Sequence, residues 1–246
     1  MAFRVSTLAQ PSVFLCPCCG ATPKAFLTIP DEYVEECEGR RVDHPLDAWE
    51  TLNLDAYLCP SCGATDRDRL QVLFLEKTIR AGMRVLEIAP SAPVSNWLNR
   101  QEDIQYRSAD FLRDDVDDKI DICDMSCYSD QSFDVVICSH VLEHVFDDRR
   151  AMRETKRILH PGGVAVLLVP ISLLIEDVTE DIECTDEDER WRRFGQGDHV
   201  RIYGRTGFEG RLTEVGFRVE TFVPTELTTS GLSKTTRLYL GYAEGV

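Results

Sequence analysis

With 246 residues, 43% of them hydrophobic, the chain is long enough for one full α/β domain and a small appendage. A formal charge of −16 argues against nucleic acid as the main partner, because gripping a phosphate backbone relies on clustered Lys and Arg. No apolar run approaches the roughly 20 residues of a membrane span, and the opening MAFRVSTLAQ lacks a signal-peptide core, so a soluble cytoplasmic protein without membrane contact is expected.

In a reducing compartment ten cysteines point to metal or free thiols rather than disulfides. Two knuckles, Cys16-Pro-Cys18-Cys19-Gly20 and Cys59-Pro-Ser-Cys62-Gly63, each supply a Cys-x-x-Cys pair backed by a glycine. That spacing lets two thiolates converge on one ion, and two pairs complete a tetrahedral site. Cys16, Cys19, Cys59 and Cys62 are therefore the expected ligands of a structural Zn²⁺, with Cys18 and Cys37 as spares. Four thiolates leave no open coordination position for catalysis. The 39 residues between the pairs exceed a usual ribbon spacing and predict a loop or flap. Residues 1–65 thus read as a zinc-ribbon-like N-terminal element and 66–246 as the main domain. Leu70, Leu73, Phe74 and Ile79 predict a joining helix over 66–80, stopped by Gly82.

Apolar runs then alternate with helical patterns. Residues 84–89 predict a first strand with Glu87 near its end, and Asn96, Trp97 and Leu98 belong to the helix behind it. Residues 104–109 predict a second strand ending at Asp110, and the acids at 114–118 a solvated turn. Residues 119–123 predict a short third strand carrying Asp121 and Ile122, with Asp124 next in line. The run from Phe133 to Cys138 has no polar alternation and reads as a parallel strand covered on both faces. It ends abruptly in Ser139, His140, Glu143 and His144, the last three spaced to share one face of a helical turn. Ligands of open α/β sheets bind outside such carboxyl ends.

Asp147 opens a helix with Met152 and Ile158 toward the sheet and its arginines outward. Pro161-Gly-Gly163 breaks the chain before a fifth strand at 164–169, and the polar stretch 171–206 reads as a lid or substrate loop. A helix at 207–215 and strands at 217–223 and 235–242, antiparallel to one another, close the pattern. Strands alternating with helices predict a doubly wound α/β sheet.

Several stretches carry a family likeness. Ser132-Phe-Asp-Val-Val136, the helix at 147–154, and Arg157-Ile-Leu-His-Pro-Gly-Gly163 with the strand after it resemble the class I S-adenosylmethionine (SAM)-dependent methyltransferases. The Cys-x-x-Cys-Gly before Arg67-x-Arg69-Leu70, the Ile88-Ala89-Pro90 turn, and the block from Phe194 to Gly204 resemble a subset carrying the same N-terminal element. The resemblance implies a Rossmann-like, seven-stranded, mostly parallel sheet with an antiparallel last strand, and SAM as cofactor. Glu87, Ala89 and Pro90 fall at its first cofactor loop, although Ala89, Ser91 and Pro93 stand where the family has glycines. Asp110 falls where a carboxylate holds the ribose diol. Asp121 and Ile122, or Asp124, fall near the adenine, and Ser139 at the end of the fourth strand.

Methyl transfer to a hydroxyl or an ammonium needs a base. His144 is the first candidate, His140 the second and His199 the rival, while both residues after the strand would equally serve as helix caps or cofactor packing. His199, Arg201 and Tyr203 are candidates for substrate contact or for closing the pocket, Arg201 being able to grip an anionic acceptor. A network among Asp198, His199 and Arg201 that merely fixes the loop would use the same residues. The expected activity is methylation at O or N of a small-molecule or saccharide-type metabolite. Protein or RNA methylation through the knuckle, or a non-catalytic partner role, are the alternatives, and the oligomeric state, a homodimer included, stays open.

Overall fold

The computed structural model of the chain describes residues 13–244, so the expectation that the first ten residues carry no leader lies outside them. The two knuckles fold alike. Gly20 N–H donates to Cys16 O at 2.8 Å and Gly63 N–H to Cys59 O at 2.9 Å, with φ of 74° and 72° at the two glycines. That left-handed conformation is open to glycine at little cost. The insert between them is more than a loop. It contains helix α1 (Asp31–Arg40) and a 3₁₀ turn at Leu46–Ala48, and an antiparallel bridge from Leu27 to Leu58 closes its base.

Helix α2 (Asp66–Thr78) starts at a capping box in which Thr65 and Asp68 satisfy each other's backbone N–H groups. It ends two residues before the expected Arg80. There follow β1 (Arg84–Ile88), α3 (Ala92–Leu98), β2 (Gln105–Asp110), β3 (Asp118–Lys119) and β4 (Phe133–Ser139). After these come α4 (Asp148–Ile158), β5 (Leu159–Leu168), β6 (Thr179–Glu180), α5 (Glu187–Phe194), β7 (Arg201–Ile202), α6 (Arg205–Glu214), β8 (Arg218–Phe222) and β9 (Leu238–Tyr242). Seven strands form one sheet in the order β3-β2-β1-β4-β5-β9-β8, with β6 and β7 a separate two-stranded antiparallel sheet. Strand β9 is antiparallel to both its neighbours and the other pairings are parallel. The doubly wound, mostly parallel sheet is as expected.

Three local expectations give way. The third strand is only two residues long, because Asp121 bridges back to Asp124 in a turn while Ile120 and Ile122 drop into the core. The fifth begins at Leu159 and runs through the Pro-Gly-Gly break, with its register against β4 shifting between Phe133 and Val135. Residues 142–144 form a single hydrogen-bonded turn, His144 N–H donating to Val141 O at 3.0 Å, and do not continue into a helix.

Alternate side chains of the central strands feed two cores. Leu86, Val136 and Leu167 meet α4 and α6 through Met152 and Phe208. Val85, Val135 and Val166 meet α2 and α3 through Leu70 and Trp97, and this second core continues into Cys16, Phe26 and Cys59. The cysteine element is therefore packed onto the sheet domain, and the buried cluster crosses the position-65 boundary. Arg69, fully buried, locks the junction. Its guanidinium donates to the carbonyls of Ala56, Tyr57, Ala64, Ser230 and Gly231 and lies 4.0 Å over the Phe26 ring. Among the described residues no helix is long and apolar enough to cross a membrane.

Replacing Arg69 with Met strips five carbonyls of their shared donor. Breaking a buried polar network of this kind costs about 3–5 kcal/mol, which lowers the melting temperature by at least about 6 °C in a chain of this size. A thermal unfolding scan in which Arg69→Met melts with the unsubstituted protein would contradict the assignment.

Candidate active site

Strands β1 and β4 are neighbours, but the chain leaves β1 toward β2 and β4 toward β5. Their carboxyl ends therefore splay apart at a topological switch point, where open α/β sheets bind ligands. A cavity of about 180 Å³ lies there, lined by Arg67, Glu87, Ala89, Ser91, Ser139 and His140 among others. Glu87 spends both oxygens on the loop: one accepts from Ser91 N–H at 3.0 Å, the other from Ser95 Oγ and Tyr106 Oη at 2.7 Å. Burial pushes its carboxyl up, against these hydrogen bonds. Ala89 adopts φ 52°, the left-handed conformation that a glycine would take, and its N–H reaches Ala109 O at 2.8 Å. The glycine-free loop thus keeps a glycine-like path. Asp68, accepting from Ser91 Oγ at 2.8 Å, fixes its far side.

The other expected cofactor residues lie beyond this cavity. Pro90 is buried and its carbonyl is held by Arg113 at 2.8 Å. Asp110 ends β2, and one of its oxygens caps Leu112 and Arg113 N–H at 2.7 and 2.9 Å. The other oxygen takes no protein donor among the described residues. Asp121 is exposed, and Ile122 is 4% exposed within the core, so its side chain is committed to packing.

A second cavity, of about 410 Å³, is walled by the insert through Tyr33, Trp49, Leu52 and Tyr57, and by Ile171 and His199. Gly195, with φ 83°, lets the Trp49 ring approach to 2.9 Å from where a Cβ would stand. The two cavities share Arg67 and His140. Burial works against the Arg67 charge, but Tyr57, Asp66, Asp68 and Glu143 act through space to outweigh it. The guanidinium makes no ion pair among the described residues, so it faces the junction charged and unspent.

His140 sits at the end of β4 with φ 55°, a strained conformation of the kind found at functional sites. Its Nδ1 is 3.0 Å from Glu143 Oε1. Burial, aided by the Arg67 charge, pushes the imidazole down to about 4, so it is neutral at neutral pH. Burial alone would raise the Glu143 carboxyl, but the imidazoles of His140, His199 and His144 reverse that and hold it low. His144 lines neither cavity; its Nδ1 lies 3.2 Å from Asp198 Oδ2. His199 lines the larger cavity with Nδ1 3.0 Å from Phe194 O, and burial lowers its pKa.

Arg201 and Tyr203 do not line either cavity. Arg201, 1% exposed, donates to Leu142 O at 2.6 Å, Val145 O at 2.5 Å and Phe146 O at 3.0 Å, and to Glu180 at 3.1 Å. Tyr203 donates to Asp148 at 2.7 Å. Their roles are set by the irregular turn after β4, whose carbonyls have no helix to satisfy them. Asp198 pairs with His144 rather than with Arg201. The sequence reading overlooked the cavity-facing Arg67 and the aromatic wall of the insert. Arg67 was visible only as part of a motif, since which side of α2 faces a cavity depends on where the insert docks.

Four thiols converge at the N-terminal element. Cys16, Cys19, Cys59 and Cys62 place their sulfurs within 4.8 Å of one another, with Cys16–Cys62 at 3.8 Å and Cys19–Cys59 at 3.9 Å. A tetrahedron of bonds of about 2.3 Å to zinc has edges of about 3.8 Å, whereas a disulfide measures about 2.05 Å. Cys18 and Cys37 stand outside the set.

The strand order, the antiparallel β9 and a binding crevice at the carboxyl edge define the class I methyltransferase fold. Residues 72–167 match the family described as a methyltransferase domain. No curated protein sequence matches it. Among solved structures it is similar to the CurJ carbon methyltransferase, at 19% identity over 72% of this chain and 53% of that one, with a TM-score of 0.47. It is also similar to YcgJ from Bacillus subtilis, at 14% identity over 72% and 98%, TM-score 0.47. An S-adenosylmethionine-dependent methyltransferase from Mesorhizobium loti is similar at 16% identity over 70% and 97%, TM-score 0.46. The chain spans about half the length of the first of these, at 53%. These likenesses carry no information on the acceptor.

Ala89 tests the loop directly. Left-handed backbone costs an L-residue about 1–2 kcal/mol, and glycine escapes most of that. Ala89→Gly is therefore expected to raise the melting temperature while leaving SAM affinity unchanged. A lower melting temperature would show that Ala89 is not strained.

Proposed function

We propose that this chain transfers the methyl group of SAM to an oxygen or nitrogen atom of a small-molecule or saccharide-type acceptor. The observation that carries this reading is the meeting of two cavities at Arg67 and His140. One lies at the switch point, where the domain's cofactor belongs. The other, at about 410 Å³, is of the size that takes a metabolite. Tyr33, Trp49 and Tyr57 offer it flat apolar faces suited to a sugar or an aromatic ring. A small acceptor is favoured over protein or RNA because the insert walls this cavity instead of projecting from the domain. The charge of −16 weighs further against RNA.

The residues at the carboxyl edge fit SAM. Ala89 and Ser139 line the smaller cavity, Glu87 fixes the loop above it, and the unpaired oxygen of Asp110 suits a ribose hydroxyl. Asp121, exposed beyond β3, is placed for the adenine end. Bound there, SAM supplies an electrophilic methyl group on a sulfonium. His140 is the base that takes the acceptor's proton. A carboxylate beside Nδ1 favours the tautomer protonated there and leaves Nε2 free, the arrangement that orients a catalytic imidazole. Arg67 offers a two-pronged grip to a carboxylate at the junction, the role that Arg201 cannot fill. His144 ranks behind His140 because it reaches neither cavity. The Cys₄ cluster holds Zn²⁺ in a closed structural site, where metal binding of about 10–16 kcal/mol is folding energy.

With an acceptor found by screening metabolites against labelled SAM, His140→Gln should lower turnover by about 100-fold or more, the usual worth of a general base, with SAM affinity retained. Turnover equal to that of the unsubstituted enzyme would remove His140 from the chemistry.

A further inference from the structure

Glu143, His144 and His199 form a second cluster of metal-ligating side chains, beside the residues assigned to methyl transfer. Their ligand atoms lie within 4.8 Å of one another. Glu143 is fully buried and His199 is 4% exposed, yet both Glu143 oxygens and His199 Nε2 lack a hydrogen-bond partner among the described residues. The His140 ring approaches one of those oxygens at 3.0 Å without the alignment of a hydrogen bond. Buried polar atoms are normally satisfied, and orphans gathered at one point signal a missing group.

The outer nitrogens of both rings are already engaged. His199 Nδ1 is 3.0 Å from the carbonyl of Phe194, and His144 Nδ1 is 3.2 Å from the Asp198 carboxylate. Each contact leaves Nε2 as the free lone pair. A carbonyl or carboxylate on the far nitrogen is how metal-ligating imidazoles are held in tautomer and orientation. The backbone draws the two segments together as well, since Val200 N–H donates to Glu143 O at 3.0 Å.

We propose that Glu143, His144 and His199 bind one divalent first-row transition ion, of the class of Zn²⁺, Co²⁺ or Ni²⁺, separately from the Cys₄ site. Two imidazoles and one carboxylate suit such ions, whereas Ca²⁺ and Mg²⁺ take oxygen ligands. Bonds of about 2.1 Å in a tetrahedral site set ligand atoms about 3.4 Å apart, so the side chains need to close by up to about 1.4 Å. The 4.0 Å between His199 Nε2 and Glu143 Oε1 is within about 0.6 Å of that separation. The ion pins the segment between α5 and β7 to the turn after β4, at the wall of the larger cavity. Three protein ligands leave a coordination position for a water or an oxygen of the acceptor.

Cobalt distinguishes the two sites, because a tetrathiolate Co²⁺ centre has thiolate charge-transfer absorption in the near ultraviolet and an imidazole-carboxylate centre does not. The full-length chain, stripped of metal under reducing conditions, is titrated with Co²⁺ and followed by absorption and by metal analysis. One equivalent without the charge-transfer band is expected, whether or not the thiolates also load. His144→Ala, at a side chain 33% exposed and therefore safe for folding, and Glu143→Gln should each weaken that equivalent at least tenfold and leave the thiolate band intact. The proposal is overturned if the unsubstituted chain binds no Co²⁺ outside the thiolate signature, or if such an equivalent keeps its affinity in His144→Ala.

Discussion

Backbone carbonyls that no helix or strand satisfies are the constraint around which this molecule is arranged, and two buried guanidiniums meet it. Arg69 gathers the carbonyls of the insert, the second knuckle and the segment after β8. Arg201 gathers those of the turn after β4. A guanidinium presents five donors in a fixed planar fork, which an ammonium cannot match. Each carbonyl left unpaired in the interior would cost about 1–3 kcal/mol. One arginine therefore sets the position of the cavity's aromatic wall, and the other sets the turn that bears Glu143 and His144. Arg67, two residues from Arg69 on α2, is the cation left for a ligand.

The charges around Arg201 balance locally. Arg201 and Arg211 share Asp148 and Glu180, so two cations meet two carboxylates at one place. Tyr203 adds its hydroxyl to Asp148. The network ties β6, β7 and α6 to the start of α4, giving the 171–206 segment a rigid floor beneath the residues that reach the cavity. His199 is on the cavity side of that floor and Arg201 on the core side, although only one residue separates them. An extended strand would put residues two apart on one face, but His199 lies between the turn at 195–198 and the start of β7 at Arg201, so strand periodicity does not govern the pair.

Much of the sheet was legible because buried parallel strands are continuous apolar runs, as in Phe133–Cys138, and because the polar residues after them mark the ligand edge. The Cys₄ cluster was legible for a different reason: two knuckles of the same Cys-x-x-Cys-Gly spacing constrain their ligands within a few residues. The expected third strand failed because apolar residues at 120 and 122 report burial without saying whether the backbone pairs. Arg201 and Tyr203 looked like ligand-binding residues because a buried arginine and a binding arginine are written alike in sequence. What distinguishes them is the set of unsatisfied carbonyls at 142–146, and those arise only when the turn declines to be helical. The aromatic wall of the insert was invisible for the same kind of reason, since nothing local in residues 29–57 states which surface they will cover.

The central claim is that the two cavities joined at Arg67 and His140 are the cofactor and acceptor sites of one methyl transfer. A crystal structure of the metal-replete protein with S-adenosylhomocysteine tests it most directly. The account predicts the homocysteine end in the cavity of Glu87, Ala89 and Ser139, the ribose on Asp110, and the sulfur facing the larger cavity past His140. A ligand bound elsewhere, or one whose sulfur faces away from His140 and the larger cavity, would contradict it.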